Sequence, residues 1–311
     1  MGPGGRVERA ACCQGAVGLP SRERRRFARA LRKVTARMDI RQRLMARTAD
    51  GHFSLSSINP DQTHGIKRKR AEKDLAKHAG QITDLQDGLW AEGRRTVLVV
   101  LQGMDTSGKD GTIKHAMSPM NPQGVRVVGF KQPTPEEQRH HFLWRIRRAL
   151  PDPPHVVIFN RSQYEDVRVA RVRKLVTERV VESRYEQINR FEEELVRRHD
   201  TTILKFCLHI GYDEQRQRLI ERLHDPTKLW KFSETDISVR SQWDEYMAAY
   251  DLAIARCSTP HAPWYVIPAN KKWFRNWAVA RILIDTLAEM NPTYPKPKLD
   301  IPGLEATLKA S

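Results

Sequence analysis

The chain has 311 residues, enough to bury a sizeable core in one principal domain with appendages. A formal charge of +17 points to a polyanionic partner: nucleic acid, an anionic membrane or polyphosphate. No apolar run reaches membrane-span length and no secretory signal is evident, while Cys12, Cys13, Cys207 and Cys257 have neither metal-ligand nor disulfide spacing; reduced thiols in a cytoplasmic protein are expected.

Residues 1–49 read as a basic extension, poor in acids and rich in arginine between Arg22 and Lys33. Such an arm is expected to be disordered and dispensable, although a mitochondrial presequence has the same composition. After an irregular stretch with a turn at Asn59-Pro60, residues 66–92 carry helical periodicity through Leu75, Ile82, Leu85 and Leu89, and Gly93 ends the helix. The β-branched, apolar run 96–102 is the first core strand.

That strand empties into Gly103-Met-Asp-Thr-Ser-Gly-Lys-Asp-Gly-Thr-Ile113. Gly103, Gly108 and Lys109 fit the phosphate-loop spacing, in which glycines let backbone N–H groups approach phosphate oxygens and a lysine reaches the outer phosphates. A glycine-rich turn alone is often only structural. Here a strand precedes it and a helix beginning near Thr112 follows, the context a phosphate loop requires. Asp110, Gly111 and Thr112 complete the expected phosphate-binding set. The Ser or Thr that ordinarily follows the lysine and ligates metal is replaced by Asp110, and the loop carries Asp105, so the metal is expected to be held differently.

Further along, 125–130 is a strand and Thr134-Pro-Glu-Glu137 the N-terminus of a helix expected to run to Leu150. His140 and His141 are adjacent, point apart on a helix and are not read as metal ligands. Residues 155–160 form a third, buried strand followed by Arg161-Ser-Gln-Tyr-Glu-Asp166, at the end of a strand where open α/β sheets place ligands. Carboxylates there can bind magnesium and an arginine can clamp a phosphoryl group; the plain alternative is a helix N-terminus favouring acids. Arg168, Arg171 and Lys174 make a basic stripe if helical; such stripes are ordinarily solvated, but this one begins beside the candidate site. Helices at 183–199 and 213–223 flank a strand at 201–209. The segment 224–233 is basic and interrupted by Pro226, which suits a lid. A helix at 242–255, a strand at 264–267 and a helix at 272–290 follow, and Pro292, Pro295 and Pro297 end regular structure. Five strands alternating with helices predict an α/β fold, a parallel sheet with helices on both faces.

Four stretches together resemble the polyphosphate kinase 2 family: 103–113, Phe159-Asn-Arg-Ser-Gln-Tyr-Glu-Asp-Val167, Asp225-Pro-Thr-Lys-Leu-Trp-Lys-Phe232 and Pro263-Trp-Tyr-Val-Ile-Pro-Ala-Asn270. The resemblance runs from about Asp50 to Pro297. It implies a catalytic domain at 50–298 with a P-loop kinase-like (thymidylate-kinase-like) core, a helical lid at about 212–240 and a C-terminal tail at 299–311. It is nearest the class III type, marked by Asn-Arg-Ser-x-Tyr-Glu-Asp at 160–166, where class I sequences resemble Asp-Arg-Ser-Trp-Tyr-Asn. The family implies Mg2+ or Mn2+, frequent homo-oligomers (dimer or tetramer), and phosphoryl transfer between inorganic polyphosphate and adenine nucleotides, with guanine nucleotides as an alternative. No nucleic acid or membrane partner is expected.

On this reading the catalytic residues are Asp105, Lys109, Arg161, Glu165 and Arg222, the metal is held by Asp105, Glu165 and Asp166, and Arg218, Lys228 and Lys231 meet polyphosphate from the lid. Two other readings fit the same residues: an ATP-dependent nucleoside or nucleotide kinase on the same core, and a basic nucleic-acid-binding protein.

Overall fold

A computed structural model describes residues 40–48 and 51–311; the expectations for the basic extension fall almost wholly outside them. The chain divides into two compact units, 1–44 and 45–311. Of the first, residues 40–44 are described and are helical. All that follows concerns the second.

Helix α1 (Arg68–Glu92) leads into β1 (Thr96–Gln102), every residue of which is buried. Such a strand needs cover on both sides, and its run of Val and Leu is what a central parallel strand requires. Around it lie β2 (Val125–Gly129), β3 (Val156–Asn160), β4 (Thr201–His209) and β5 (Trp264–Pro268), all parallel, in the order β2-β3-β1-β4-β5. On one face α1 packs against α10 (Lys272–Met290). On the other, α5 (Glu165–Val172), α6 (Glu178–Arg198) and α9 (Trp243–Cys257) close a core of Leu98, Val100, Val157, Phe159, Ile203 and Trp264 with Ile188, Phe191 and Ile254.

Because β3 lies beside β1, their C-terminal ends arrive together: Leu101 is in register with Asn160, and the Arg161 N–H donates to the Leu101 carbonyl at 3.1 Å. The topology thus places the glycine loop and the Arg161–Asp166 segment side by side.

Two expectations are corrected. The helix expected at 134–150 is two short ones, α3 (Pro135–Gln138) and α4 (Trp144–Arg148). Thr134 and Glu137 form the reciprocal cap, but the chain then turns at His141, whose carbonyl and Nδ1 accept from the Trp144 and Leu143 amides and restart the helix. His140 stacks on Trp144 and the His141 ring bonds Gln187, which accounts for both histidines. The proline-rich end does not finish regular structure, because Asp300 caps a further helix, α11 (Ile301–Ala310), with Pro302 in its first turn.

Candidate active site

The loop between β1 and α2 (Lys109–Thr112, continued by a π-helical turn Ile113–Met117) is tightly wound. Gly103 is needed for close approach: a Cβ there would lie 2.5 Å from Ser107 Oγ and 2.7 Å from the Leu208 carbonyl. Thr106 and Arg161 are non-glycine residues held at positive φ, 63° and 67°. Each costs on the order of 1 kcal/mol or more, a strain that concentrates at functional sites.

Lys109 is buried, and its ammonium donates to the carbonyls of Gly103 (2.8 Å) and Met104 (3.3 Å). Burial pushes its pKa down to about 8, against the upward pull of Asp105. Below that pH the charged form dominates and above it the neutral form. Binding of tripolyphosphate without metal is therefore expected to weaken severalfold from pH 7 to pH 9, measured by calorimetric titration. A flat profile contradicts the role given to this ammonium.

Asp105 accepts from Arg161 at 2.9 Å. Burial raises its pKa, but Lys109 and then Arg161 outweigh burial and hold the carboxyl below its ordinary range. Glu165, at the start of α5, pairs with Arg168 at 2.5 Å. It is likewise lowered, burial being overcome by Arg168, Arg161 and Lys109. Two ionised carboxylates thus share one field with Lys109, Arg161 and Arg168.

Asp166 faces elsewhere. It bonds the buried Arg145 at 3.3 Å, its backbone carbonyl takes Arg184, and burial raises its pKa. Among the described residues no three Asp, Glu, His or Cys side chains gather as a metal set, so the trio Asp105, Glu165 and Asp166 is not assembled. The donor chemistry still fits magnesium: hard carboxylate oxygens from one or two residues, with substrate phosphates completing the shell.

Asp110 does other work. It accepts from Asn160 at 2.8 Å and pairs with Lys231 at 2.7 Å, joining the end of β3 and the turn that carries Lys231 to the first turn of α2. Thr112 turns its hydroxyl back to the Gly108 carbonyl, whereas Gly111 lies against the guanidinium of Arg275.

The segment expected as a lid is α7 (Tyr212–His224), a turn at Leu229–Lys231, and α8 (Glu234–Ser241). Arg222 donates to Asp236 and to the Lys231 carbonyl, both at 3.3 Å, and lies close enough to Asp105 to lower its pKa. Lys228 pairs with Asp225. Arg218, expected on polyphosphate, is instead buried: it donates to Glu214, Thr106, Ala269 and Asn270, bracing the loop against the end of β5.

Sequence reasoning missed four residues. Arg168, read only as the start of a basic stripe beside the candidate site, is buried with its guanidinium over the rings of Tyr250 (4.5 Å) and Tyr246 (5.5 Å). Tyr250 brings a buried hydroxyl, without a hydrogen-bond partner among the described residues, into the field of Arg168 and Glu165. Asp236 faces Asp105 and Arg222, and Arg275 sits behind the loop. The capping pattern Ser233-x-x-Asp236 was the one available signal, and it pointed to a helix start.

The arrangement can hold a chain of phosphates: a buried ammonium and loop amides on one side, arginines opposite, and two ionised carboxylates for a divalent cation. Comparison with known proteins agrees. The family described as Polyphosphate kinase 2 (PPK2) matches residues 65–295. The AMP/ADP-polyphosphate phosphotransferase of Meiothermus ruber is 49% identical over 251 residues, 80% of this chain and 94% of that protein. The ADP-polyphosphate phosphotransferase of Rhodopseudomonas palustris is 39% identical, covering 71% of this chain and 81% of that one. The crystal structure of Polyphosphate Kinase 2 from Arthrobacter aurescens TC1 superposes with a TM-score of 0.81 at 40% identity, covering 86% of this chain and 98% of its own. With most of its length matched by that family and by a solved member, the chain belongs to the polyphosphate kinase 2 family and is a phosphotransferase.

Proposed function

We propose that this protein moves the terminal phosphoryl group of inorganic polyphosphate to AMP and to ADP. The observation that carries this reading is the shared field of Lys109, Arg161, Asp105 and Glu165 at the adjoining ends of β1 and β3. Phosphoryl transfer passes through a loose transition state, so the protein acts mainly by positioning and by stabilising charge. Lys109 leaves the Gly103 and Met104 carbonyls to meet a phosphate oxygen, which strengthens as an acceptor when charge builds on it. Arg161, fixed by its backbone bond to Leu101, and Arg222 from the lid neutralise the transferring group. Lys228 and Lys231 close over the polyanion, with the Lys231–Asp110 pair registering the lid on the loop. Asp105 and Glu165 would hold Mg2+ or Mn2+, which supplies further charge neutralisation when bound. The enzyme works in the cytoplasm as a homo-oligomer.

Acceptor choice rests on Glu165. Class I-like sequences place Asp at the end of the third strand and Asn five residues later; here the order is Asn160 and Glu165. Asn160 binds Asp110, leaving Glu165 as the acid of this segment beside Lys109. A carboxylate presented from a different backbone position shifts the divalent ion, and with it the acceptor phosphate. Glu165→Asn is expected to lower kcat/KM for AMP about tenfold more than for ADP, a difference of about 1.4 kcal/mol. With polyphosphate saturating, equal losses for both acceptors would mean that Glu165 does not set the choice.

A further inference from the structure

Arg275 lies in the first turn of α10, 3% exposed, directly behind the phosphate loop. Its guanidinium donates to the Ser107 carbonyl at 3.1 Å and to the Asn276 side chain at 3.1 and 2.8 Å. It pairs with no carboxylate among the described residues, and the charge that acts on it is another cation, Arg218. Burial first, and then Arg218, lower its pKa to about 10. An interior guanidinium without a countercharge is costly, and proteins ordinarily pair such a group.

The loop is shaped around this side chain. A Cβ at Gly108 would fall 1.7 Å from Arg275 Nη1, and one at Gly111 would fall 3.0 Å from Nη2. The glycines of the motif therefore leave room for a guanidinium behind the loop as well as for phosphate in front. The Ser107–Gly108 peptide is planar and trans, so holding the Ser107 carbonyl on Arg275 turns the Gly108 N–H away from the arginine. Arg218 holds the preceding carbonyl, that of Thr106, in the same manner.

We infer that Arg275 is a positioning residue of the phosphate loop: it fixes the Ser107 peptide from behind, and the bound anion supplies the countercharge that the protein withholds. The inference rests on reading 103–112 as a phosphate site. It leaves the Arg275 charge behind the unliganded loop without a carboxylate of its own, a cost relieved when polyphosphate or a nucleotide phosphate arrives. A purely structural arginine would stabilise the fold and leave anion affinity alone.

The test compares the full chain with Arg275→Met, Arg275→Lys and Lys109→Ala, measuring the melting temperature without ligand and tripolyphosphate affinity by calorimetry. Arg275→Met is expected to leave the unliganded melting temperature unchanged or raise it, since it removes an unpaired buried charge. It should weaken tripolyphosphate binding by roughly ten- to a hundredfold, the scale of a unit charge several ångströms away at an effective dielectric of about 20. Arg275→Lys keeps the charge and should bind more tightly than Arg275→Met. Failure of Arg275→Met to fold, wild-type affinity in it, or equal affinities in the two variants would overturn the inference. Loss of binding in Lys109→Ala alongside full binding in Arg275→Met would refute the role of Arg275 alone, whereas full binding in Lys109→Ala would refute the phosphate-loop reading itself.

Discussion

Replacing Lys109 with alanine is expected to lower turnover by roughly a hundredfold or more while leaving the protein folded. The ammonium is the buried positive charge of the loop, and its hydrogen bonds without ligand go to the loop carbonyls of Gly103 and Met104. Those carbonyls lose a donor in the variant, but the loop keeps the braces from Arg218 and Arg275 and the Thr112 N–H bond to Gly108. Asp105 also loses its largest stabilising charge while keeping Arg161. The loss should therefore appear in kcat/KM for polyphosphate, with circular dichroism and melting close to wild type. Near-normal turnover in the folded variant would remove Lys109 from the mechanism.

The second large effect is on stability. Lys205 and Glu192 form an ion pair at 2.6 Å in which both side chains are 0% exposed. Lys205 also donates to Tyr164 Oη (2.9 Å) and the Cys257 carbonyl (2.6 Å), while Glu192 accepts from Gln163 and Tyr164. Lys205→Met would leave Glu192 buried without its cation, a loss of roughly 3–5 kcal/mol. In a unit of this size the melting temperature would fall by about 10 °C. Adding Glu192→Leu should restore much of that loss, because a buried pair replaced whole by apolar groups is often neutral. Gln163 and Tyr164 immediately precede Glu165, so the pair also anchors the segment that presents the acid. A single variant as stable as wild type would show that the pair is not what holds this layer together.

Much of this architecture can be read from residues alone, for identifiable reasons. The strands 96–102 and 201–209 and the helix 272–290 have the expected bounds, since each is a long, strongly patterned segment ended by a turn or a polar residue. The tight turn between β1 and α2 is equally legible, because its glycines and lysine occupy fixed offsets between a strand and a helix. The neighbours of those residues are not. Arg168 and Arg275 sit in helices whose charges resemble a solvated face. Only the long-range arrival of Tyr246 and Tyr250 beside Arg168, and of the loop beside Arg275, makes them interior. Asp166 and Glu165 are adjacent acids with no difference visible in sequence; Arg145 from α4 and Arg168 from α5 draw them to different partners. Arg218 is hidden for the same reason, as its four acceptors are mostly backbone carbonyls remote in sequence. The break at His141 comes with a His141–Gln187 bond and a His140–Trp144 stack that helical periodicity does not encode.

The most direct test of the account exchanges the phosphoryl donor. Purified protein is given AMP and a divalent cation, with either polyphosphate or ATP as sole donor, and the nucleotides are separated by chromatography. Polyphosphate as sole donor is expected to convert AMP to ADP and then to ATP. Phosphorylation of AMP with ATP but none with polyphosphate would contradict it and return the protein to the ATP-dependent nucleotide kinases.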